Sequence, residues 1–540
     1  MQEPQEQGHS AANVAPAERI STVRSASRWI NPLVYLGLFI TMVSWSLSMP
    51  LGAAPDEAAH IIKAAAVSHG QLLGESIGVE GTLSVQVPSA LANAQSWTCF
   101  AFNSEVSAAC QELAASSGEM APATTAVALY NPVYYALVGW PSLFLSDPTA
   151  IVWSMRALTA LVSAGLSVVI LALLRRFTST TTALFLTATI LTPMVVFLSS
   201  SVNPNSWEIL GCAAFLVGLL WFGFSGASLR GPGIGVATFA IAGGGFLAAT
   251  SRGVSPFWLF LMGLLFLAVT PRPRTLEIFA SWRFLWPLTV AVLASVLSII
   301  WTLRTGTLGG LIPLEGADRP LIVVFAQMVL PNARLYEGMI GNFGWLDTPA
   351  PALVFSVYGL SVIGVLLAGV SIAGKKWRVV TAVSVVLVLL APALVQLGSL
   401  RSTGYIWQGR YSLPLLVAAL LLAGFGIIQS GRSWDKAVEI SAATYRRFTG
   451  GMLLLMLLAQ GYAFYVNLFR NSVGTLENPL RPLLDPAWQP AVLGVGGVVF
   501  LYGCGAILLL VAGYLAARQL NGENLRSALV QDGGAPAALS

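Results

Sequence analysis

Asp56 and Glu57 stand side by side directly after the first long apolar run, and His60 and Lys63 follow them. A carboxylate held at the boundary of lipid and water can serve as a general base, taking the proton of an attacking hydroxyl. In a helix, spacings of four and three bring Asp56, His60 and Lys63 near one face, which favours Asp56 over Glu57 for that role. The same residues also spell a plain helix start. Pro55 suits a first helical position, and two acids suit the positive end of the helix dipole. Both readings are open at this point. Asp56, Glu57 and His60 lack a specific ligand spacing, so no metal is assigned; a divalent ion is conceivable there but has no support.

A second group lies far along the chain. Arg401 and Arg410 flank a turn that also carries Tyr405, Trp407 and Tyr411. Arginine grips phosphate through paired hydrogen bonds, and a departing phosphate needs that kind of stabilisation. Snorkelling arginines in an interfacial aromatic belt would give the same pattern. Arg252, Arg304 and Arg334 are the other arginine candidates on this side of the membrane. Arg252 follows Gly243-Gly244-Gly245, which sits in an apolar run and reads as close helix packing rather than a phosphate loop. Trp345 and Asp347, in a glycine-containing stretch that begins at Gly341, fit sugar recognition, and Asp347 equally fits a cap for the next helix.

The elements that must position these residues are membrane helices. The 540 residues are 56% hydrophobic and 9% charged, against about 25% charged in soluble chains. Spans need about 20 apolar residues. Runs of that kind recur at 29–50, 149–174, 179–200, 206–225, 233–251, 256–270, 284–303, 351–373, 378–398, 411–429, 450–469 and 490–516, which predicts about twelve transmembrane helices. The fold class is all-α integral membrane. The first run is too long for a signal-peptide core and reads as a retained span. Arg175-Arg176, Arg272 and Arg274, Lys375-Lys376 and Arg446-Arg447 all fall on one side, which the positive-inside rule makes cytoplasmic, together with both termini. The scattered basic residues give no case for nucleic acid.

The domain plan is then a cytoplasmic polar tail over 1–28, a transmembrane domain over 29–516 and a second cytoplasmic tail over 517–540. Two long extracytoplasmic loops, 51–148 and 304–350, hold most of the acids, and long loops in compact proteins tend to carry function. In the first, the apolar residues after Glu57 predict a helix along the membrane surface. Tyr130 to Trp140 predicts a second interfacial or half-inserted helix. Cys99 and Cys110 share this loop and are either a disulfide or two free thiols.

The ordered pieces resemble a known group. Pro55-Asp56-Glu57-x-x-His60, Asn131-Pro132-x-x-Tyr135, Ser201-Val202-Asn203-Pro204-Asn205, Gly341-x-Phe343-Gly344-Trp345-Leu346-Asp347 and Gln408-Gly409-Arg410-Tyr411-x-x-Pro414 appear in sequence over about residues 30–430. This set resembles a large bacterial multipass membrane-protein family related to the GT-C superfamily, whose members are glycosyltransferases using polyprenyl-phosphate-linked sugars. The resemblance implies a GT-C-like helical fold and a catalytic carboxylate at Asp56 or Glu57. Candidate substrate-binding residues are His60, Lys63, Asn131, Tyr135, Trp345, Asp347, Arg401, Arg410 and Tyr411. Asn205 stands where relatives often carry Asp, which weakens that turn as an acid site and suggests a helix cap.

The function this implies is transfer of a sugar from a polyprenyl-phosphate donor to a cell-envelope glycan or glycolipid, at the extracytoplasmic face of the cell membrane. The partners are that donor, that acceptor and the bilayer, with no organic cofactor. A transporter or flippase of a lipid-linked envelope intermediate, and a non-catalytic subunit of an envelope-assembly complex, are the alternatives. Few ionisable residues fall inside the spans and no internal repeat is evident, which counts against transport.

Overall fold

The computed structural model describes residues 28–77, 83–113, 118–226, 231, 233–307, 315–330, 333–431 and 442–531. The amino-terminal tail up to residue 27 and the arginine and lysine at 432 and 436 lie outside them. Among the described residues, ten helices are long and apolar enough to cross a membrane. The expected span at 179–200 is two helices, Thr180–Ile190 and Pro193–Ser199, bent by 74° at Leu191-Thr192. Pro193 explains the break: it cannot donate a backbone bond, and Thr192 caps the new helix by accepting from the Val195 amide. The run at 256–270 is the 15-residue helix Ser255–Val269. All twelve apolar runs are therefore helical, and the all-α membrane class holds. The last helix runs on through the expected tail as far as Gln531.

Apolar side chains face outward as lipid requires. Leu293, Leu297 and Leu303 of the helix Trp282–Thr305 are all exposed. Inside, Asn205–Phe224 is buried almost all round, and small residues let its neighbour approach. A Cβ at Gly244 would stand 2.9 Å from the Gly211 carbonyl oxygen, so the glycine triplet is indeed a packing seam.

The first long loop is more than interfacial helices. It contains a three-stranded antiparallel sheet in the order β1 (Glu75–Ser76), β2 (Leu83–Pro88), β3 (Met120–Thr124). The helix Glu57–Ser68 does not lie along the surface with one face wet. Every residue from Glu57 to Val67 is buried, packed between the sheet and the helix Pro132–Gly139. The alternating apolar residues Val85 and Val87 of β2 cover it, together with Trp97. Pro132–Gly139 buries Tyr134 and Tyr135 while Leu137, and Trp140 just after the helix, point outward. Cys99 and Cys110 are joined as a disulfide. The second long loop folds as helices Leu321–Val329 and Ala333–Ile340 and a hairpin of Asn342–Phe343 with Thr348–Pro349.

Candidate functional site

The two adjacent acids go to different places. Glu57 is fully buried and saturated: Arg156 donates through Nε at 2.8 Å and Nη2 at 2.7 Å, and the Val202 amide donates at 2.9 Å. Arg156 also donates to the carbonyls of Ser46, Met49 and Pro50, so this pair ties the first span, the loop and the span Pro148–Leu174 together. Both carboxylate oxygens of Glu57 are taken by protein donors, so Glu57 stands in the structure as an anchor between elements, away from the cavity that Asp56 lines.

Asp56 is the opposite case. It precedes the helix in the left-handed region, at φ 64°, and its carboxylate does not cap that helix. Pro55 accordingly lies outside the helix rather than at its first position. The Asp56 side chain is 48% exposed, and its Oδ2 accepts from Arg410 Nη2 at 2.6 Å. Asn203 holds the backbone beside it, donating to the Pro55 carbonyl at 3.2 Å while its Oδ1 accepts from the Asn205 amide. Asn203 thus performs the capping expected of Asn205. The first and third sequence motifs interlock through these bonds.

Arg410 arrives from a tight turn, Gly409–Ser412, leading into the helix Leu413–Gln429. Gly409 is required there, because a Cβ would collide with the Leu335 carbonyl oxygen of the helix Ala333–Ile340. Arg410 is 1% exposed, yet its Nε and Nη1 have no partner. A buried guanidinium with unmade bonds is costly unless a ligand supplies acceptors. Arg410 Nη2 also donates to the Tyr411 hydroxyl at 3.1 Å. Arg252 lies over the other side of the Tyr411 ring, 3.9 Å from its centre, with its Nη1 also unpartnered. Burial and Tyr411, Glu208, Tyr130 and Asp56 together set the environment of this second guanidinium.

Asp56, Arg252, Arg410 and Tyr411 line one cavity of about 1220 Å³, with Tyr130 and Asp347 among its other walls. Among the described residues, four non-glycine residues have positive φ: Asp56, Phe102, Leu346 and Leu493. The first three all line this cavity. Backbone strain of this kind persists where surrounding structure over-determines it, and it gathers at functional sites.

The remaining candidates divide. Asp347 lines the cavity and accepts from the buried Arg470 at 2.8 Å, so it is no simple helix cap. Trp345 reaches back to the first loop, its Nε1 donating to the Gly52 carbonyl at 3.0 Å. His60 and Tyr135 form a buried pair behind Asp56, His60 Nδ1 and the Tyr135 hydroxyl being 2.8 Å apart. Burial pushes the His60 pKa down to about 3, so this histidine is neutral. Lys63 turns away and donates to the carbonyls of Leu72 and Ala128, with burial pushing its pKa down to about 8. Asn131 caps Pro132–Gly139 by accepting from the Val133 amide. His60, Lys63, Asn131, Tyr135 and Trp345 thus stand behind the site's walls and do not line the cavity, whereas Asp347, Arg410 and Tyr411 do. Arg401 is exposed and donates to the Ala317 carbonyl outside the cavity. Arg304 is exposed elsewhere, whereas Arg334 lines the cavity.

Sequence reasoning singled out neither Arg470 nor Arg156. The signal was present: an arginine inside an apolar run is expensive and implies a partner. The partners, Asp347 and Glu57, stand 123 and 99 residues away, where no local pattern reaches.

Residues 39–419 match the model of the family described as Predicted membrane protein (DUF2142). The chain belongs to that family. The DUF2142 match includes every motif above from Pro55 to Pro414. No curated protein matches the chain. Among solved structures, the chain is similar to ArnT from Cupriavidus metallidurans in the apo state, with 13% identity and a TM-score of 0.40, over 94% of this chain and 79% of that one. A likeness that faint adds no weight to the reading of the site.

Proposed function

We propose that this DUF2142 protein is a membrane glycosyltransferase. It moves a sugar from a polyprenyl-phosphate donor to a cell-envelope glycan or glycolipid on the extracytoplasmic face. One observation carries the reading: a half-exposed carboxylate and two guanidiniums with unmade hydrogen bonds share one large cavity. Such a set suits a displacement in which charge leaves on a phosphate. The acceptor oxygen bonds to the anomeric carbon as its proton passes to Asp56. The bond from that carbon to the phosphate oxygen breaks, and its electron pair stays on the lipid phosphate, facing Arg410 and Arg252.

The resting Asp56–Arg410 pair fits this sequence of events. A donor phosphate satisfies the unmade bonds of Arg410 and competes for Nη2, leaving Asp56 free to accept a proton. The paired cysteines support placing the loop outside, because disulfides persist in oxidising compartments. The charge bias of the loops points the same way.

The test is reconstitution of the full chain in proteoliposomes with a panel of polyprenyl-phosphate sugars. Wild type is expected to transfer, Asp56→Asn to lose transfer, and Arg410→Gln to lose most of it. Full activity in Asp56→Asn would remove Asp56 as the base. Donor moving between leaflets without any glycosyl transfer would replace the enzyme with a transporter.

A further inference from the structure

The loop closed by the Cys99–Cys110 disulfide ends in an oddity. Phe102, at its tip, is 75% exposed and has φ 60°, a conformation that a bulky side chain rarely adopts. An exposed phenyl ring held in a strained backbone buries little apolar surface, so its placement calls for another cause. Phe102 lines the same cavity as Asp56, and its ring meets Trp345 edge-on with centres 5.2 Å apart.

The two rings are braced from behind. Arg470 donates to the carbonyls of Phe100 and Asn103, on either side of Phe102, and to Asp347 of the opposing hairpin. The Thr475 amide donates to the Ser104 carbonyl, and Trp345 is tied to Gly52, four residues before Asp56. The platform is therefore fixed to the base, the hairpin and the last spans together. Polar side chains stand among the walls around it. Asn342 lines it in the same hairpin as Trp345, and its buried Oδ1 has no partner while its Nδ2 donates to the Leu346 carbonyl.

We infer that Phe102, braced edge-on by Trp345, forms a stacking platform for the apolar face of a pyranose ring of the acceptor. A pyranose presents C–H groups on one face and hydroxyls round its edge, so it needs an aromatic surface with polar acceptors at the margin. Phe102 supplies the surface, and Asn342 Oδ1 and Asp347 supply acceptors for hydroxyls. A lipid tail would match the ring but would leave Asn342 Oδ1 unsatisfied, which is why the platform is assigned to a sugar. The inference deepens the proposed transfer reaction by naming where its glycan partner sits.

The experiment is saturation-transfer NMR on the full chain in nanodiscs, using methyl β-galactopyranoside, methyl β-glucopyranoside and the methyl glycoside of N-acetylglucosamine as probes. At least one probe is expected to show transfer concentrated on the ring protons of a single face. Loss of one aromatic contact should weaken binding by roughly 2–10-fold in Phe102→Ala, with Phe102→Tyr restoring it. Face-selective binding without any sugar transfer would keep the platform and reject the enzyme. Absence of face-selective transfer for all three probes, or an unchanged signal in Phe102→Ala, overturns the platform even where glycosyl transfer is found.

Discussion

Replacing the two neighbouring acids one at a time should separate stability from catalysis. In Glu57→Gln, one carboxylate oxygen becomes an amide nitrogen facing donors on every side: Arg156 Nε, Arg156 Nη2 and the Val202 and Ala54 amides. Arg156 keeps its three backbone carbonyls but loses its carboxylate partner in a site with both side chains at 0% exposure. Breaking a buried charge pair by removing one partner costs about 3–5 kcal/mol. Asp56→Asn is a gentler change for the fold. The side chain is half exposed, asparagine tolerates the left-handed backbone, and its amide oxygen still accepts from Arg410. Arg410 is 1% exposed but Asp56 is half solvated, so the loss falls below the about 3–5 kcal/mol of a fully buried pair and above the about 0–1 kcal/mol of an exposed one. Equilibrium unfolding of the purified protein in mixed micelles should therefore show a larger loss for Glu57→Gln than for Asp56→Asn. Transfer assays should show the reverse, with Asp56→Asn folded and inactive. Equal stability losses in the two variants, or an active Asp56→Asn protein, would refute the division of labour drawn from the structure.

Arg410→Lys should raise the donor KM by roughly 10–100-fold, because a point charge replaces the fork of donors that a phosphate engages. Gly409→Ala should destabilise the protein by about 1–3 kcal/mol, read by the same unfolding assay, since its methyl group meets the Leu335 carbonyl. His60 sets an acid limit. Its pKa falls from 6.5 in the unfolded chain to about 3 in the fold, so protonation favours unfolding. The stability held above pH 6.5 should decline as pH drops from there toward 3, and His60→Gln should flatten that part of the curve. Cys99 and Cys110 should resist a membrane-impermeant maleimide on intact cells until a reductant is added.

The membrane fold was legible because lipid enforces a simple rule: an apolar run of the right length is a helix. The break at Leu191-Thr192 was legible only as a proline in such a run, and its angle depends on what packs around it. The first loop was harder. Its residues after Asp56 alternate between small and branched apolar types, which suits a surface helix and a buried one equally. What decides between them is a sheet assembled from β2 and β3, more than 30 residues apart along the chain, which covers the wet face. Asp56 and Arg410 were each visible as candidates, yet their meeting across 354 residues was not, since turns of glycine set it. Glu57 misled because an acid beside another acid carries no mark of which one is paired. Arg156 in the middle of an apolar run was that mark.

Gly338 and Gly409 meet backbone against backbone, with no side chain between them. A contact of that kind has no give, so the turn that carries Arg410 and the helix that leads into the 342–349 hairpin must travel as one block. A substrate too large for the resting cavity therefore finds a fixed anvil on this side. Any widening must come from elsewhere in the wall. The loop bearing Phe102 lies across from that block, but it is tethered by a disulfide and by Arg470. Such an enclosure should choose its cargo by shape at the threshold, before any chemistry begins.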